Sequence, residues 1–190
     1  MHKYCKVMFG TTSGAKQDLE YKINEVNISL NWNPKAQDPK EMGGFNFSTY
    51  DMVFRWLIRG DTIYDVEIPE SAEVINVNNP STPNGVFRTN KIIIKNPRSI
   101  TDSIALELYK KSNLPEKSYY KALAGCMIRG YKNTCLELIK DKVNKENIDL
   151  VLSEIAAFVN PENKTECTQD TTVYYEVLEI LNQFKLENTL

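Results

Sequence analysis

Three carboxylates lie close together in the sequence, at Asp61, Asp65 and Glu67. Asp65 and Glu67 are two residues apart in a run that alternates like a β-strand, so their side chains share one strand face. A pair of neighbouring carboxyl groups can perform general acid–base chemistry. The same spacing fits an exposed strand face that simply carries charge, and the sequence leaves both interpretations open.

Histidine chemistry is almost absent from the chain, because the single histidine is His2. One histidine cannot supply a His-x-x-x-His zinc site, and the sequence contains no His-x-Glu deaminase motif. At the second position of the chain, this histidine is not expected to serve a catalytic triad either. Any chemistry must therefore come from carboxylates, Tyr, Cys, Lys, Arg or backbone groups.

Four cysteines, Cys5, Cys126, Cys135 and Cys167, show no Cys-x-x-Cys spacing. This pattern favours free thiols in a reducing compartment over disulfides or a zinc site. Cys126 and Cys135 fall on the apolar faces of predicted helices, where free cysteine behaves as a small core residue. We therefore expect both to be buried, inert thiols.

Residues 10–16 read GTTSGAK and resemble a phosphate-binding loop. They lack the four-residue gap between the glycines and the Ser or Thr after the lysine, so a Walker loop is excluded. A polar turn that follows a strand can still offer backbone N–H groups to an anion. Gly, Ser and Thr also favour ordinary turns, which is the alternative interpretation.

Strand periodicity dominates the N-terminal half of the chain. Ser48 and Thr49 predict the N-cap of one short helix that ends at Gly60. The triplet Arg59-Gly60-Asp61 is interpreted as this helix end and a turn. The predicted sheet has five or six strands, drawn from residues 3–9, 19–23, 26–32, 62–68, 73–77 and 86–94.

The pattern changes to helical spacing after Asn96-Pro97. Thr101 or Asp102 is expected to cap the first helix, and Pro115 falls in the first turn of the next one. Apolar stripes then predict further helices that pack as antiparallel neighbours. The sequence therefore predicts an α+β protein, with a β-rich domain at residues 1–96 and an all-helical domain at residues 97–190.

The order of elements around two short motifs resembles the ADP-ribosyltransferase superfamily. Phe9-Gly10-Thr11 follows the first strand, and GGFNFST at residues 43–49 precedes the predicted helix. The resemblance covers residues 3–96 and implies an ADP-ribosyltransferase-like cleft that binds NAD. The cofactor-binding residues that it implies are Gly10, Thr11, Ser48, Thr49 and Asn90.

Two positions depart from the pattern of that family. Phe9 stands where the family has an Arg or His before Gly-Thr, and Asn90 stands where a late strand supplies a catalytic glutamate. Asparagine can hydrogen-bond a ribose hydroxyl, but it places no negative charge beside a developing cation. The resemblance therefore implies weak or absent catalysis, and the catalytic residues stay unassigned.

The whole chain also resembles uncharacterised proteins from phages and prophages of low-GC Gram-positive bacteria, notably across RGDTIYDVEIPESAEVI and GVFRTNKIIIKNPR. This resemblance implies a gene carried by a mobile element, with action against host defence as one role. The sequence contains no run of 18 apolar residues and no secretory signal. A location in the bacterial cytoplasm and no membrane association are therefore expected.

Charge is distributed unevenly along the chain, whose net charge is −2. Residues 85–145 carry 13 basic and 5 acidic side chains, whereas residues 146–190 carry 2 basic and 9 acidic ones. One interpretation is a solvated face, since helix surfaces are normally charged. The other is a docking surface for an anionic partner, which we expect to be a bacterial protein rather than nucleic acid. Its candidate partner-binding residues are Lys110, Lys111, Lys117, Lys121, Lys132, Lys140 and Lys142.

Two functions stay open on the sequence. In the first, the protein binds or weakly modifies a bacterial protein or nucleotide through the ADP-ribosyltransferase-like cleft, with NAD as candidate cofactor and no metal. In the second, it is a non-enzymatic interaction protein, for instance an inhibitor of a host defence system, that docks through residues 85–145. A transferase requires a concave pocket lined by polar groups from two strands, whereas an inhibitor can fill that space with side chains. The oligomeric state is left open.

Overall fold

The computed structural model of the chain describes residues 3–13, 16–38, 41–160 and 171–187. The chain divides into two compact units. The sheet unit comprises Met1–Val53 and Arg59–Ile100, and the helical unit comprises Phe54–Ile58 and Thr101–Leu190. Across the described part of the chain, no helix is long and apolar enough to cross a membrane. His2 and Cys167 lie outside the described residues.

The sheet unit contains a seven-stranded antiparallel sheet and a separate two-stranded one, so the predicted α+β class is confirmed. The order in the larger sheet is β4-β9-β6-β1-β5-β8-β7, and β2 and β3 form the smaller one. The strands are β1 Tyr4–Met8, β2 Thr12–Ser13, β3 Lys16–Glu20, β4 Asn27–Ile28, β5 Phe45–Thr49, β6 Thr62–Glu67, β7 Val74–Asn76, β8 Val86–Thr89 and β9 Lys91–Ser99.

One face of the large sheet buries an aromatic core. The Phe47 ring stacks on Phe87 at 5.3 Å, and Tyr4 meets Phe47 edge-on at 5.0 Å between centroids. Tyr21, which follows β3, covers this face and lies 5.3 Å from the Phe45 ring. Residues that alternate along a strand point to the same side, which explains how short strands collect these rings. The buried members are Met8, Tyr21, Phe45, Phe47, Tyr64, Val66, Ile92 and Ile94.

The predicted helix cap at Ser48 and Thr49 is wrong, because both residues belong to β5. Ser48 pairs with Cys5 of β1 and with Val86 of β8, so it is held between two strands. A 3₁₀ helix follows only at Val53–Arg59. Serine and threonine suit both caps and strands, and here the pairing with two neighbouring strands decides between them.

Gly60 ends the 3₁₀ helix as the sequence predicts, but its reason is close packing rather than an unusual backbone angle. A Cβ at this position would lie 2.1 Å from the Met8 carbonyl oxygen. The Asp61 N–H then donates to the same oxygen at 3.0 Å. The triplet Arg59-Gly60-Asp61 therefore joins the helix end to β1.

The predicted strand over residues 26–32 is correct only at Asn27–Ile28, which forms the edge strand β4. The alternation is also inverted, because the polar side chains are bonded to the protein while the apolar ones face solvent. Asn27 donates to the carbonyl oxygens of Lys22 and Ile92. The exposed apolar side chains are Val26, Ile28 and Leu30. Hydrogen bonding by Asn27, rather than burial of the apolar residues, fixes this edge.

A bulge interrupts β9 at Asn96-Pro97. Ile63 pairs with Arg98 and Asp65 pairs with Lys95, so two residues of β9 lie opposite one of β6. Asn96 has a φ of 49°, a left-handed angle that asparagine tolerates better than most residues. The strand continues to Ser99, so the change from strand to helix falls after the predicted position at Asn96-Pro97. The predicted division into independent domains at 96/97 stays a prediction.

The helical unit has the five helices that the apolar stripes predict. Thr101 is the N-cap of the first, and its hydroxyl accepts a hydrogen bond from the Ile104 N–H at 3.3 Å. Cys126 and Cys135 are buried free thiols, which confirms that expectation. Burial raises the pKa of both thiols, so they stay protonated. The helices are α1 Asp102–Lys110, α2 Glu116–Ile128, α3 Lys132–Lys142, α4 Ile148–Phe158 and α5 Thr172–Glu187.

Asp102 caps a helix other than its own. Its carboxylate accepts hydrogen bonds from the N–H groups of Asn133 and Thr134, at 2.8 and 2.9 Å, and from the Thr134 hydroxyl at 2.7 Å. These groups belong to the first turn of α3, whose own N-cap residue Tyr131 does not cap the helix with its side chain. A carboxylate at a helix N-terminus satisfies unpaired N–H groups and complements the helix dipole. Asp102 therefore ties α1 to α3.

Candidate functional site

The turn after β1 contains the first two predicted cofactor-binding residues. Gly10 has a φ of 52°, and its N–H donates to Asp61 Oδ1 at 3.1 Å. The Tyr64 hydroxyl donates to the Gly10 carbonyl oxygen at 2.9 Å. Thr11 donates its hydroxyl to Glu20 Oε1 at 3.3 Å. Gly14 and Ala15, the other part of the GTTSGAK turn, lie outside the described residues.

Ser48 and Thr49 lie at the end of β5, next to the loop that precedes β8. The buried Ser48 hydroxyl donates to the Gly85 carbonyl oxygen at 2.7 Å. The Thr49 N–H donates to the same oxygen at 3.1 Å. The Thr49 hydroxyl is also buried, and it has no hydrogen-bond partner among the described residues. Ser48 is thus used to close the loop, while its neighbour keeps an unsatisfied hydroxyl.

Asn90, where the family resemblance would put a catalytic glutamate, links β8 to β9. Its side-chain oxygen accepts a hydrogen bond from the Glu73 N–H at 2.9 Å. Its backbone oxygen accepts one from the Ser29 N–H at 2.9 Å. Both bonds satisfy backbone N–H groups of neighbouring segments. The Asn90 side-chain oxygen thus accepts a bond that a neighbouring strand's carbonyl oxygen would otherwise accept.

The five predicted residues do not meet in one place. Tyr4 pairs with Thr49 and Cys5 with Ser48, at the start of β1, whereas Gly10 lies beyond its end. At about 3.3 Å per residue, the two groups are separated by on the order of 10 Å or more. Asn90 follows Thr89, which pairs with Phe45, so it lies at the Gly10 end but two strands away. Gly10, Thr11 and Asn90 share an end of the sheet that Ser48 and Thr49 do not.

Asp65, singled out by the sequence as half of a carboxylate pair, is the centre of a different cluster. The Tyr50 hydroxyl donates to Asp65 Oδ1, and Asn96 Nδ2 donates to Asp65 Oδ2 at 2.8 Å. Arg98 Nη2 donates to the Tyr50 oxygen at 2.7 Å and lies 3.6 Å from Asp65 Oδ1. We call these four residues the Asp65 network. It joins β6, β9 and the chain just after β5.

Glu67 has a separate partner, because Lys95 Nζ lies 2.6 Å from Glu67 Oε2. Glu67 is half-exposed, whereas the Asp65 side chain is nearly buried. The two carboxylates therefore share a strand but not a proton or a substrate position. Each is neutralised by its own cation, which favours the interpretation of a charged strand face for Glu67 and a buried anchor for Asp65.

Tyr50 and Cys5 border Asp65, and both are held in their protonated forms. Burial raises the pKa of Tyr50, and the hydrogen bond to Asp65 raises it further. Burial also raises the pKa of the Cys5 thiol, with the Asp65 carboxylate as the second cause. The thiolate is the reactive form of cysteine, so this thiol is a poor nucleophile. The network is therefore suited to holding strands together.

Sequence reasoning missed Tyr50, Asn96 and Arg98. A signal was present, since an Asn-Pro pair inside a strand-like run is typical of a bulge, and a bulge redirects side chains. Here the bulge turns Asn96 towards Asp65. As for metals, the described ranges contain no group of three or more His, Cys, Asp or Glu residues that could hold an ion.

The helical unit brings five of the seven predicted lysines to one end. Tyr109 of α1 donates its hydroxyl to Asp141 of α3 at 2.9 Å, and its ring lies 5.9 Å from that of Tyr119 in α2. Lys142 Nζ lies 4.8 Å from the Tyr119 ring centroid. The end of α1, the start of α2 and the end of α3 therefore lie side by side. We call this region the basic end, formed by Lys110, Lys111, Lys117, Lys140 and Lys142.

The remaining two lysines are paired with the acidic C-terminal segment. Lys121 Nζ lies 3.7 Å from Glu154 of α4, and Lys132 Nζ lies 2.9 Å from Glu176 of α5. The acidic helices thus fold against part of the basic segment. At the basic end, Lys111 and Lys140 pair with acidic residues on their own helices, Glu107 and Glu137.

Comparison with known proteins gives no relative for this chain. No protein-family model matches it, and neither a curated protein nor a solved structure matches it.

Proposed function

We propose that the protein is a non-enzymatic interaction protein whose basic end docks on an acidic surface of a bacterial protein. The observation that carries this proposal is the availability of Lys110 and Lys117. Both are exposed, and neither forms an ion pair with any residue that the structure describes. Clustered cations without local partners attract an oppositely charged surface and speed its association.

The aromatic residues near these lysines support a protein partner over nucleic acid. Tyr109, Tyr119, Tyr120 and Tyr131 are all buried in the helical unit. Single-stranded nucleic acid is bound largely by stacking bases on accessible aromatic rings. Buried rings cannot offer such a surface, so we favour an acidic protein face.

The proposed biological setting is a phage or other mobile element, with the host protein as target and interference with host defence as the role. The support is the resemblance of two segments, RGDTIYDVEIPESAEVI and GVFRTNKIIIKNPR, to phage and prophage proteins. The host cytoplasm is the proposed location for such an encounter.

Binding experiments with two charge-reversed variants test this function. Tagged protein is used to capture partners from host lysate, at low and high salt and with nuclease treatment. We expect one captured protein that survives nuclease, weakens with salt and is lost from Lys110→Glu/Lys117→Glu. The control Lys22→Glu/Lys35→Glu changes the same number of exposed charges in the sheet unit and should capture it normally. Equal loss from both variants, or removal by nuclease, contradicts the proposal.

The ADP-ribosyltransferase-like cleft is the second candidate function, and one observation favours it. Gly10, Thr11 and Asn90 share one end of the sheet, so a nucleotide could contact both the β1 turn and the position of the family glutamate. With Phe9 and Asn90 in two family positions, we expect labelled NAD to stay intact when incubated with the pure protein. Turnover near ordinary enzyme rates of about 1 per second or more would overturn this expectation.

A further inference from the structure

Lys6 is a lysine inside the core of the sheet unit. It lies in β1, is only 8% exposed, and pairs with Tyr64 of the neighbouring strand β6. Its Nζ donates to the Asn46 carbonyl oxygen at 2.6 Å and lies 5.1 Å from the centre of the Tyr21 ring. Lysine is almost never fully buried unless it is paired. Its position therefore requires an explanation.

The ladder between β1 and β5 explains why the side chain can enter the core. The two strands pair only at Tyr4 with Thr49 and Cys5 with Ser48, although both continue further. Beyond Cys5 the ladder has no further pair, and the Asn46 carbonyl oxygen takes Lys6 Nζ as its donor. Lys6 thus replaces a missing backbone bond at the centre of the sheet.

The groups facing Lys6 do not balance a positive charge. Tyr64 of β6 and Tyr21 of the segment over the core are both uncharged. Arg88 of β8 carries a positive charge, which repels an ammonium at Lys6. From β5, Lys6 meets the Asn46 carbonyl oxygen. Burial raises the pKa of Tyr21, so this phenol supplies no anion. Burial, followed by Arg88, lowers the pKa of Lys6 from 10.5 to about 7.

Tyr21 belongs to a segment, residues 19–23, that covers Lys6 and makes few backbone-to-backbone bonds with the large sheet. Leu19 and Glu20 belong to β3, which pairs with β2, and the Lys22 N–H and carbonyl oxygen bond to the Asn27 side chain. The Tyr21 N–H donates to the Thr11 oxygen at 2.9 Å, and the Asn24 N–H to the Ile94 oxygen at 2.9 Å. A single bridge joins Ile23 to Ile94. A segment with so few backbone bonds to the large sheet can open at a lower free energy than the strands beneath it.

We propose that residues 19–23 form a cover over Lys6 whose opening is favoured when the amine takes up a proton, so that the closed state is most stable while the amine is neutral. In the open state the ammonium reaches water and regains its ordinary solvation. In the closed state the charge would be desolvated, with the Asn46 carbonyl oxygen and the Tyr21 ring as its favourable contacts. Opening is therefore coupled to the binding of one proton.

The direction and range of the coupling follow from the two pKa values of Lys6. Above 10.5 the amine is neutral in both states, and below about 7 it is charged in both, so opening does not depend on pH in either range. Between these values only the open state holds the proton. The opening constant should therefore rise by about tenfold for each unit that the pH falls within this interval.

Amide hydrogen exchange by NMR tests this coupling at the Tyr21 and Asn24 N–H groups. The intrinsic exchange rate rises about tenfold per pH unit while the opening constant falls by the same factor, so the observed rates should stay nearly constant once the pH is about one unit above the lower limit of the interval. In Lys6→Met the cover stays closed, and the rates should rise about tenfold per unit. The control Lys22→Met removes an exposed lysine of the cover itself, and it should behave like the natural protein.

Two results would overturn the proposal: rates in the natural protein that rise with pH as fast as those of an unstructured peptide, or identical profiles in the natural protein and Lys6→Met. If Lys6→Met does not fold, the lysine side-chain resonances of the natural protein give the answer directly. A Lys6 midpoint near 7 supports the coupling, and a midpoint near 10.5 refutes it.

Discussion

The sheet unit and the helical unit use their polar side chains in opposite ways. In the sheet unit, Ser48, Asn90 and Asp65 all turn inward and bond to the protein itself. In the helical unit, Lys110 and Lys117 stay at the surface. The cause is the backbone. A helix satisfies its own N–H and C=O groups except at its ends, whereas short strands, loops and bulges leave groups that side chains must satisfy.

This difference teaches where to look for function in a chain of this kind. Polar residues in strand-rich regions look like functional-site residues from their type. Many of them instead hydrogen-bond the backbone or side chains of neighbouring loops and bulges. Asp102 shows that the rule also holds for helices, because it serves a helix end. Exposed side chains along helix bodies, such as those of Lys110 and Lys117, are not needed to satisfy the backbone. The following predictions test this comparison, from the largest expected effect to the smallest.

Removing the centre of the Asp65 network should have the largest effect on stability. Asp65→Ala leaves the Tyr50 hydroxyl, the Asn96 amide and the Arg98 guanidinium without their shared acceptor. We expect a loss of about 2–4 kcal/mol in the free energy of unfolding, measured by urea denaturation. Glu67→Ala, on the same strand but half-exposed, should cost less than about 1 kcal/mol. Equal costs would show that Asp65 is not an inward anchor.

The cap between helices should come next. Asp102→Ala removes the acceptor for two backbone N–H groups of α3, and we expect a loss of about 1–2 kcal/mol in unfolding free energy. Glu107→Ala, an exposed carboxylate on the same helix, is the control and should change stability by less than about 0.5 kcal/mol. An equal loss in the control would mean that the effect comes from charge rather than from capping.

Two adjacent residues at the end of β5 should respond in opposite directions. Ser48→Ala breaks the bond to the Gly85 oxygen and should cost about 1 kcal/mol. Thr49→Val removes a buried hydroxyl that has no partner among the described residues, so it should be neutral or slightly stabilising. Thermal and urea unfolding of the two variants, side by side, provide the measurement. A costly Thr49→Val would reveal a bond that this hydroxyl makes in solution.

The smallest effect on stability is expected at the basic end. Lys110→Glu/Lys117→Glu should alter the unfolding free energy by less than about 0.5 kcal/mol per site, because exposed charges contribute little. Circular dichroism and urea unfolding can establish this before any binding experiment. A larger loss would place these lysines among the structural residues and remove the contrast between the two units.

Local patterns predicted the elements that repeat along the chain, such as β1, β6 and the five helices, because periodicity reflects burial directly. Local patterns failed where residues far apart in the sequence determine the local structure by pairing or hydrogen bonding. Ser48 and Thr49 look like a helix cap until β1 and β8 pair with them. Val26, Ile28 and Leu30 alternate like a buried strand, yet the hydrogen bonds of Asn27 turn them outward. The predicted site residues were separated because their positions along β1 and β5 depend on strand register, which the sequence does not encode locally.

The segment Phe54–Ile58 has a consequence for how this gene can be exchanged. It lies between two stretches of the sheet unit in the sequence but belongs to the helical unit. There the buried Phe54 ring lies 5.3 Å from that of Tyr109, and Ile58 packs beside Gly125. Recombination at residue 100 would transfer the five helices without this inserted piece of their core. The helical unit therefore cannot be exchanged intact by a single recombination at residue 100. An exchange that preserves its core has to include Phe54–Ile58 together with the helices.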